Sequence, residues 1–517
     1  MLLAWATAWW FTFRRLLKKI LFFVFILLFV VFTWLIVQVP FVQNWMVSKV
    51  TENLSAKLHT KLSIKNVSLS LFNKVNIHGL LVEDLKKDTL LYAGTAKVNL
   101  TDWFFLKNKI SFKYIGLDDA VVNMNRTDSV WNYQFLIDYF AGPKTGGNKK
   151  GAEIDLKEIH LNNIRFNKID KWIGQDMIAA LKKMDVTMDS VNFNNKQIAI
   201  KELYLEQPLF AQADYKGNRP EVANLTAVLQ KIPLVSAFKW NNSGWKFSIK
   251  KFQLFDGNFK NDKETDRPVY NDRFDGEHLL FNNITGSINN VLFLNDTLTA
   301  DISLAAKERS GLLIKKLQSN MKLTPELMEF KNLALETNRS KLGNYYAMHY
   351  NQFNSDFSSF LHSVTLDASF TNSSINSDDL AIFSPNLKSW KRIFQIEGTA
   401  KGTIDNFSTK KMKIRTGNTF IDGDISMRGL PDIDATFIDF KSNILQTSYN
   451  DLVTIIPSIK NVKDIALPKL GAITYTGYFT GFISDFVTYG NFKTNLGGVT
   501  ADLNMKIPKA GRSSYSG

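Results

Sequence analysis

Cysteine is absent from this 517-residue chain. Disulfides, thiolate zinc sites and cysteine nucleophiles are therefore excluded, while the compartment stays open, since exported proteins can also lack the residue. Histidine is scarce, and His59, His78, His160, His278, His349 and His362 stand apart from one another. No metalloprotease helix motif, nucleophile elbow or phosphate loop occurs. The carboxylate pairs Asp118-Asp119 and Asp378-Asp379 fall where the local sequence reads as a turn or a helix start, which suits solvated or capping roles. The expectation is a non-enzyme with no catalytic residue, no metal and no cofactor. Acidic residues are outnumbered, 48 against 63 Lys and Arg, for a net charge of +15. The cations are spread along the chain, so they read as a solvated face that discourages strand-edge aggregation rather than as a nucleic-acid surface.

Proline is sparse at 12 residues while phenylalanine reaches 40, a balance that suits strands more than a helix bundle. The apolar residues of ISFKYIGLDDAVVNM are Ile110, Phe112, Ile115, Leu117, Ala120 and Val122, spaced two, three, two, three, two. At about 100° per residue these positions scatter around a helix, and in a plain strand each step of three would switch faces. The pattern recurs 44 residues on as Ile154, Leu156, Ile159, Leu161, Ile164 and Phe166, and after a further 44 as Ile198, Ile200, Leu203, Leu205, Pro208 and Phe210. Phe247, Ile249, Phe252, Leu254, Gly257 and Phe259 repeat it again, and shorter versions begin at Leu62 and Met328. Two structures satisfy a step of three: a β-bulge, whose extra residue restores the facing of the residues after it, or a short turn. Either predicts a one-sided sheet, apolar on one face and Lys-, Asn- and Asp-rich on the other.

One long apolar run exists. Arg14, Arg15, Lys18 and Lys19 precede Ile20–Val37, and no charge intervenes before Lys49. As a helix, those 18 residues span about 27 Å, close to the roughly 30 Å of membrane hydrocarbon. The expectation is an uncleaved transmembrane anchor over 14–39 with a cytoplasmic amino terminus, Trp34 and Trp45 near the far interface, and the bulk of the chain translocated. Residues 1–13 are too short to span and read as a cytoplasmic or interfacial segment. Val42, Met46, Val50, Leu54 and Leu58 then recur every four residues and predict an amphipathic helix over 40–60 that caps the first sheet edge.

Residues 61–373 read as a β-repeat region. Within it, 141–153 and 261–278 are polar loops; Asn271, Asp275 and Gly276 hint at a calcium loop, but Arg273 occupies a ligand position. Thirteen of the 28 glycines lie beyond residue 390, which places a boundary at 373/374. Beyond it a longer repeat emerges: EGTAKGTIDNF (397–407) matches TGYFTGFISDF (476–486), and SDDLAIFSP (377–385) matches YNDLVTIIP (449–457). The unit is a short capped helix, a Pro-bounded linker and glycine-punctuated strands. The chain stops after IPKAGRSSYSG without a closing element, as the front part of a longer array would.

Together the basic patch and anchor, PFVQNWMVSKVTENLSAKLHTKLSI, the stretch from LVEDLKKDTLLYAG to WNYQF, and LPKLGAITYTGYFTGFISDF resemble the TamB group of the AsmA-like, bridge-like lipid transfer proteins, in particular the version found in Bacteroidetes. The resemblance implies a mainly β fold: an elongated, strongly twisted, taco-like sheet with a continuous hydrophobic groove, a few inserted short helices, and one transmembrane helix before it. It implies a periplasmic bridge anchored in the bacterial inner membrane that conducts phospholipid towards the outer membrane. It also links the family, as a translocation and assembly module, to outer-membrane biogenesis and protein secretion with an Omp85-type barrel partner, engaged through a part of the chain beyond residue 517. Conduit and structural tether or scaffold both require one-sided strands. The groove positions expected are Ile110, Phe112, Ile115, Leu117, Val122, Ile154, Leu156, Ile159, Leu161, Ile164, Phe166, Ile198, Ile200, Leu203, Leu205, Phe210, Phe247, Ile249, Phe252 and Leu254.

Overall fold

In a computed structural model of the chain, the structure describes residues 25, 26, 28, 39–70, 74–100, 112–141, 156–220, 239–461, 466–508 and 512–517. These residues are mainly β, and the chain divides into two compact units, Met1–Asp170 and Lys171–Gly517. The composition boundary at 373/374 does not coincide with this division; the strand Thr365–Asn376 runs through it, and its Leu366 pairs with Gly402 in one antiparallel ladder.

The first unit opens with helix α1 (Pro40–Leu58), which starts on proline at its first turn and ends at His59 in the left-handed region. It packs on β1 (Leu62–Ser63) and β2 (Asn66–Ser70), and the Ser55 hydroxyl and the Leu62 amide and carbonyl meet at 2.9 Å. The packed face differs from the expected one. Gln43, Thr51 and Leu58 are buried, whereas Val50 is 65% exposed. A strict four-residue spacing drifts by about 40° per step around a helix of 3.6 residues per turn, so Val42 and Leu58 lie on nearly opposite sides. β1 and β2 pair with β3 (Lys74–Glu83), and β4 (Thr89–Leu100), β5 (Phe112–Arg126) and β6 (Glu158–Asp170) follow, antiparallel except for the parallel β5–β6 pair. The anchor at 14–39 lies almost wholly outside the described residues, and among those described no helix is long and apolar enough to cross a membrane.

In the second unit β7 (Gln175–Asn192) lies antiparallel to both β8 (Gln197–Glu206) and β9 (Leu209–Asp214), and β10 (Lys246–Lys263) lies parallel to both. From β10 the chain meanders, each strand antiparallel to the last: β11 (His278–Leu294), β12 (Thr297–Glu308), β13 (Leu313–Thr324), β14 (Leu327–Thr337), β15 (Lys341–His349), β16 (Thr365–Asn376), β17 (Ile393–Gly402) and β18 (Asn406–Thr416). β19 (Thr419–Arg428), β20 (Phe437–Ser448), β21 (Ala472–Phe482), β22 (Asp485–Thr494), β23 (Gly497–Lys506) and β24 (Ser514–Ser516) complete it.

The long repeat takes the expected form. Short helices occupy Ser377–Leu380 and Tyr449–Ile455, capped by Asn376 and Ser448, with 3-10 turns starting at Pro385 and Pro457. The matched glycines share a conformation closed to other residues: φ is +130° at Gly398 and +151° at Gly477, +134° at Gly402 and +133° at Gly481. A Cβ on Gly477 would stand 2.1 Å from the Tyr489 carbonyl oxygen and 2.6 Å from the Gly490 Cα, where the two backbones meet in register. Gly477→Ala is therefore expected to destabilise the second unit by about 3 kcal/mol, read as a lower urea midpoint at unchanged slope.

The loop with the calcium-like residues is closed by protein groups instead. Arg267 donates to both oxygens of the buried Asp275, at 2.8 and 2.7 Å, and holds its carboxyl well below the usual range. The Tyr270 ring lies between Arg267 and Arg273, and the Phe274 amide donates to the Ile382 carbonyl at 2.9 Å.

Candidate hydrophobic face

At the steps of three that the ladders resolve, one residue is extra, either as a bulge against the neighbouring strand or matched by an extra residue there. In β5 the register slips by one between Asn99–Tyr114 and Leu100–Phe112, leaving Lys113 as the extra residue. The second extra residue in each repeat is in the left-handed region: Asp119 (φ +53°), Asn163 (+51°), Gln207 (+48°) and Asp256 (+53°). Asn and Asp tolerate this conformation best among residues with a side chain, which is why short polar residues stand in the gap. Where Lys201 and Lys250 are the extra residues, β8 and β10 skip them together, and Lys250 Nζ pairs with Asp189 of β7 at 3.1 Å.

In the first unit the left-handed residues line up on neighbouring strands. Gly79, at φ +62°, lies at the same level in β3, so the sheet carries one continuous crease and the rows on both sides stay in register. Four apolar rows cross β3 to β6. They are Val75–Val98–Ile115–Ile159, Ile77–Ala96–Leu117–Leu161, Leu80–Ala93–Ala120–Ile164 and Val82–Leu91–Val122–Phe166. Directly paired residues share a face, so all of these lie on one side. The other side is a polar ladder. Asp118 accepts from Lys97 at 2.8 Å and from Asn162 at 2.7 Å, and the Lys97 bond chiefly lowers its pKa. Asn163 donates to Asp119 at 2.7 Å, so the bulge residues bond to each other.

The second unit has the same arrangement. Ile198 pairs with Phe247, Ile200 with Ile249, Leu203 with Phe252, Leu205 with Leu254 and Phe210 with Phe259. One row continues strand by strand from β7 to β23, missing only β9: Val191, Ile198, Phe247, Phe293, Leu298, Leu323, Met328, Met348, Leu366, Gly402, Phe407, Met427, Ile438, Gly481, Phe486 and Met505. The face is not sealed. Phe210 is 38% and Phe247 37% exposed, and the other expected positions on β8 and β10 are half-buried. Phe210 stacks on Phe259 at 6.0 Å and Phe247 on Phe293 at 6.3 Å. On the polar side Asp301 accepts from Asn290 and Asn320 at 2.7 and 2.6 Å, which lowers its pKa.

Of the expected positions, Ile110 and Ile154 lie outside the described residues, Leu156 is half-buried just before β6, and Phe112 begins β5 opposite Leu100. The remaining groove positions fall in the rows above. Among the anchor residues, Arg14, Arg15, Lys18, Lys19 and Trp34 are outside the described residues, and Trp45 on α1 is 57% exposed. Sequence reasoning missed β4, whose two-three-two spacing at Leu91, Ala93, Ala96 and Val98 is diluted by small residues, and the rows through β11 to β13. Comparison of the chain with protein-family models, curated proteins and solved structures found no match in any of the three.

Proposed function

We propose that the chain carries phospholipid acyl chains along its apolar sheet faces, as a non-catalytic bridge anchored in the inner membrane and directed towards the outer membrane. The observation that carries this reading is the row that continues strand by strand from Val191 to Met505, open to solvent at Phe247. An acyl chain in water costs about 0.8 kcal/mol per CH₂, on the order of 10 kcal/mol for a whole chain. A single pocket removes that cost at one place only. A row repeated on every strand removes it at each step of about 4.8 Å, so a chain slides without crossing a large barrier. The elongated taco-like groove and the Omp85-type partner belong to the same reading. A tether or assembly scaffold would instead bury this face against itself or a partner, and the exposure of its phenylalanines favours the conduit.

Photo-crosslinking residues at Phe112, Leu161 and Leu205, with Gln253 on the opposite face as control, test it. Mass analysis after irradiation in cells should find phospholipid on the first three and not on the control. Protein adducts at all three, without lipid, would favour the scaffold.

A further inference from the structure

A second site lies on the polar side of the second unit, at the strand ends where β13 turns into β14 and β15 gives way to two short helices (Phe353–Ser358 and Phe360–Ser363) before β16. A cavity of about 460 Å³ opens there, lined among others by Lys322, Glu326, His349, Asn351, Ser363 and Thr365. Its face follows from register. Thr324 pairs with Leu327, Leu327 with His349, and His349 with Thr365, one residue out of step with the apolar row Leu323–Met328–Met348–Leu366. The site is rigidly framed: Tyr350 is buried, its amide donates to the Glu326 carbonyl at 3.0 Å, and its hydroxyl donates to the Thr324 carbonyl at 3.1 Å. Asp356, beside it, is used by the amides of Asn351 and Gln352.

What marks the cavity is the mix of polar groups it gathers from three segments. Several carboxylates on this side are paired: Glu329 accepts from the Tyr345 hydroxyl on the neighbouring strand at 3.1 Å and meets Lys331 on its own strand at 3.4 Å. In the cavity the Lys322 ammonium, the Glu326 carboxylate, the His349 ring, the Asn351 amide and the Ser363 and Thr365 hydroxyls have no side-chain partner among the described residues. Two cationic or neutral nitrogen donors and two hydroxyls suit a phosphate, and the lone carboxylate suits an ammonium.

We propose that this cavity binds a phosphoethanolamine-type ester. Lys322 and His349 take the phosphate oxygens, helped by the Ser363 and Thr365 hydroxyls, and Glu326 accepts from the primary ammonium. A quaternary choline has no N–H to donate and a glycerol has no cation, so Glu326 sets the preference. At about 30 Å³ per water the volume holds the headgroup and several waters. The reading of the chain as a lipid carrier bears only on the source of the ester, since a headgroup still on its lipid and the free ester share this chemistry.

The test titrates the purified full chain with O-phosphoethanolamine, phosphocholine and inorganic phosphate, and with dihexanoyl phosphatidylethanolamine below its micelle concentration. O-phosphoethanolamine should bind about tenfold more tightly than phosphocholine or phosphate. Lys322→Gln and His349→Gln should each weaken it about tenfold with an unchanged far-UV spectrum, and Glu326→Gln should abolish the preference over phosphocholine while sparing phosphate. Equal or tighter binding of the short-chain lipid assigns the site to headgroups; binding of the soluble ester alone assigns it to the free compound and still supports the site. No binding, or binding that both cationic-side variants leave intact, overturns it. Leu254→Lys separates the two readings: it should leave O-phosphoethanolamine binding unchanged even where lipid crosslinking on the apolar face is lost.

Discussion

Insertion of one residue after Asn163 is expected to destabilise the first unit by about 4 kcal/mol, far more than any substitution at that position. Upstream, Ile159 and Leu161 already face the apolar side of β6; downstream, Ile164 and Phe166 reach it only because Asn163 is extra. With one more residue after it the period of two puts Arg165 and Asn167 on the apolar side and Ile164 and Phe166 on the polar one. Losing two half-buried apolar side chains costs about 2 kcal/mol, and turning a guanidinium into the row costs about as much again. Slipping the strand by one residue offers no escape. It would bring Asp170 back to Arg126, which donates to both oxygens of the buried carboxylate at 2.7 and 2.8 Å, only by turning Ile159 and Leu161 to the polar side. Asn163→Gly keeps the left-handed residue and should cost under about 1 kcal/mol, the loss being the bond to Asp119. Asn163→Val, β-branched in a left-handed position, should cost about 1–2 kcal/mol. Urea unfolding of the full chain, with hydrogen exchange of Glu158–Asp170, separates the three. An insertion as mild as the glycine variant would refute the bulge.

Leu254→Lys is expected to stop lipid passage, and Gln253→Lys on the neighbouring residue to leave it intact. Leu254 lies in the row with Leu205, Gly286 and Leu304, whereas Gln253 is exposed on the other face beside Tyr204 and Ser287. An ammonium in the path of the acyl chain must be desolvated each time a methylene passes, a penalty of several kcal/mol per event and a slowing on the order of a hundredfold or more. The half-open site lets the long lysine stem reach water, so the fold should survive with a loss of only about 1–2 kcal/mol. Lipid delivered to acceptor vesicles or to the outer membrane, measured at matched levels of folded protein, gives the contrast. Equal lipid passage in both variants would mean that this face does not carry lipid.

The two-three-two spacing makes the one-sided strands readable from the order of residues alone, because apolar residues must share a face wherever the other face is wetted. The short helices at 377–380 and 449–455 are readable from their caps and prolines, and the paired glycines from their recurrence, since only glycine enters the conformations found at Gly398 and Gly477. Whether a step of three is a bulge or a turn is not readable in this way. That depends on whether the neighbouring strand carries its own extra residue at the same level, as Asp119 and Asn163 do for each other, and the match is made between residues 44 apart in sequence. The packed side of α1 escapes the sequence pattern because a four-residue spacing drifts on a 3.6-residue helix. The cavity beside His349 is invisible in the sequence for a further reason: its side chains come from three separate segments, each unremarkable alone.

Local chemistry therefore set which residues turn inward together, since hydration acts on each side chain in turn and leaves its period in the order of residues. Register and the gathering of unpaired polar groups at strand ends depend on distant segments meeting. No short stretch contains both partners of such a contact, so those features existed only once the strands had paired.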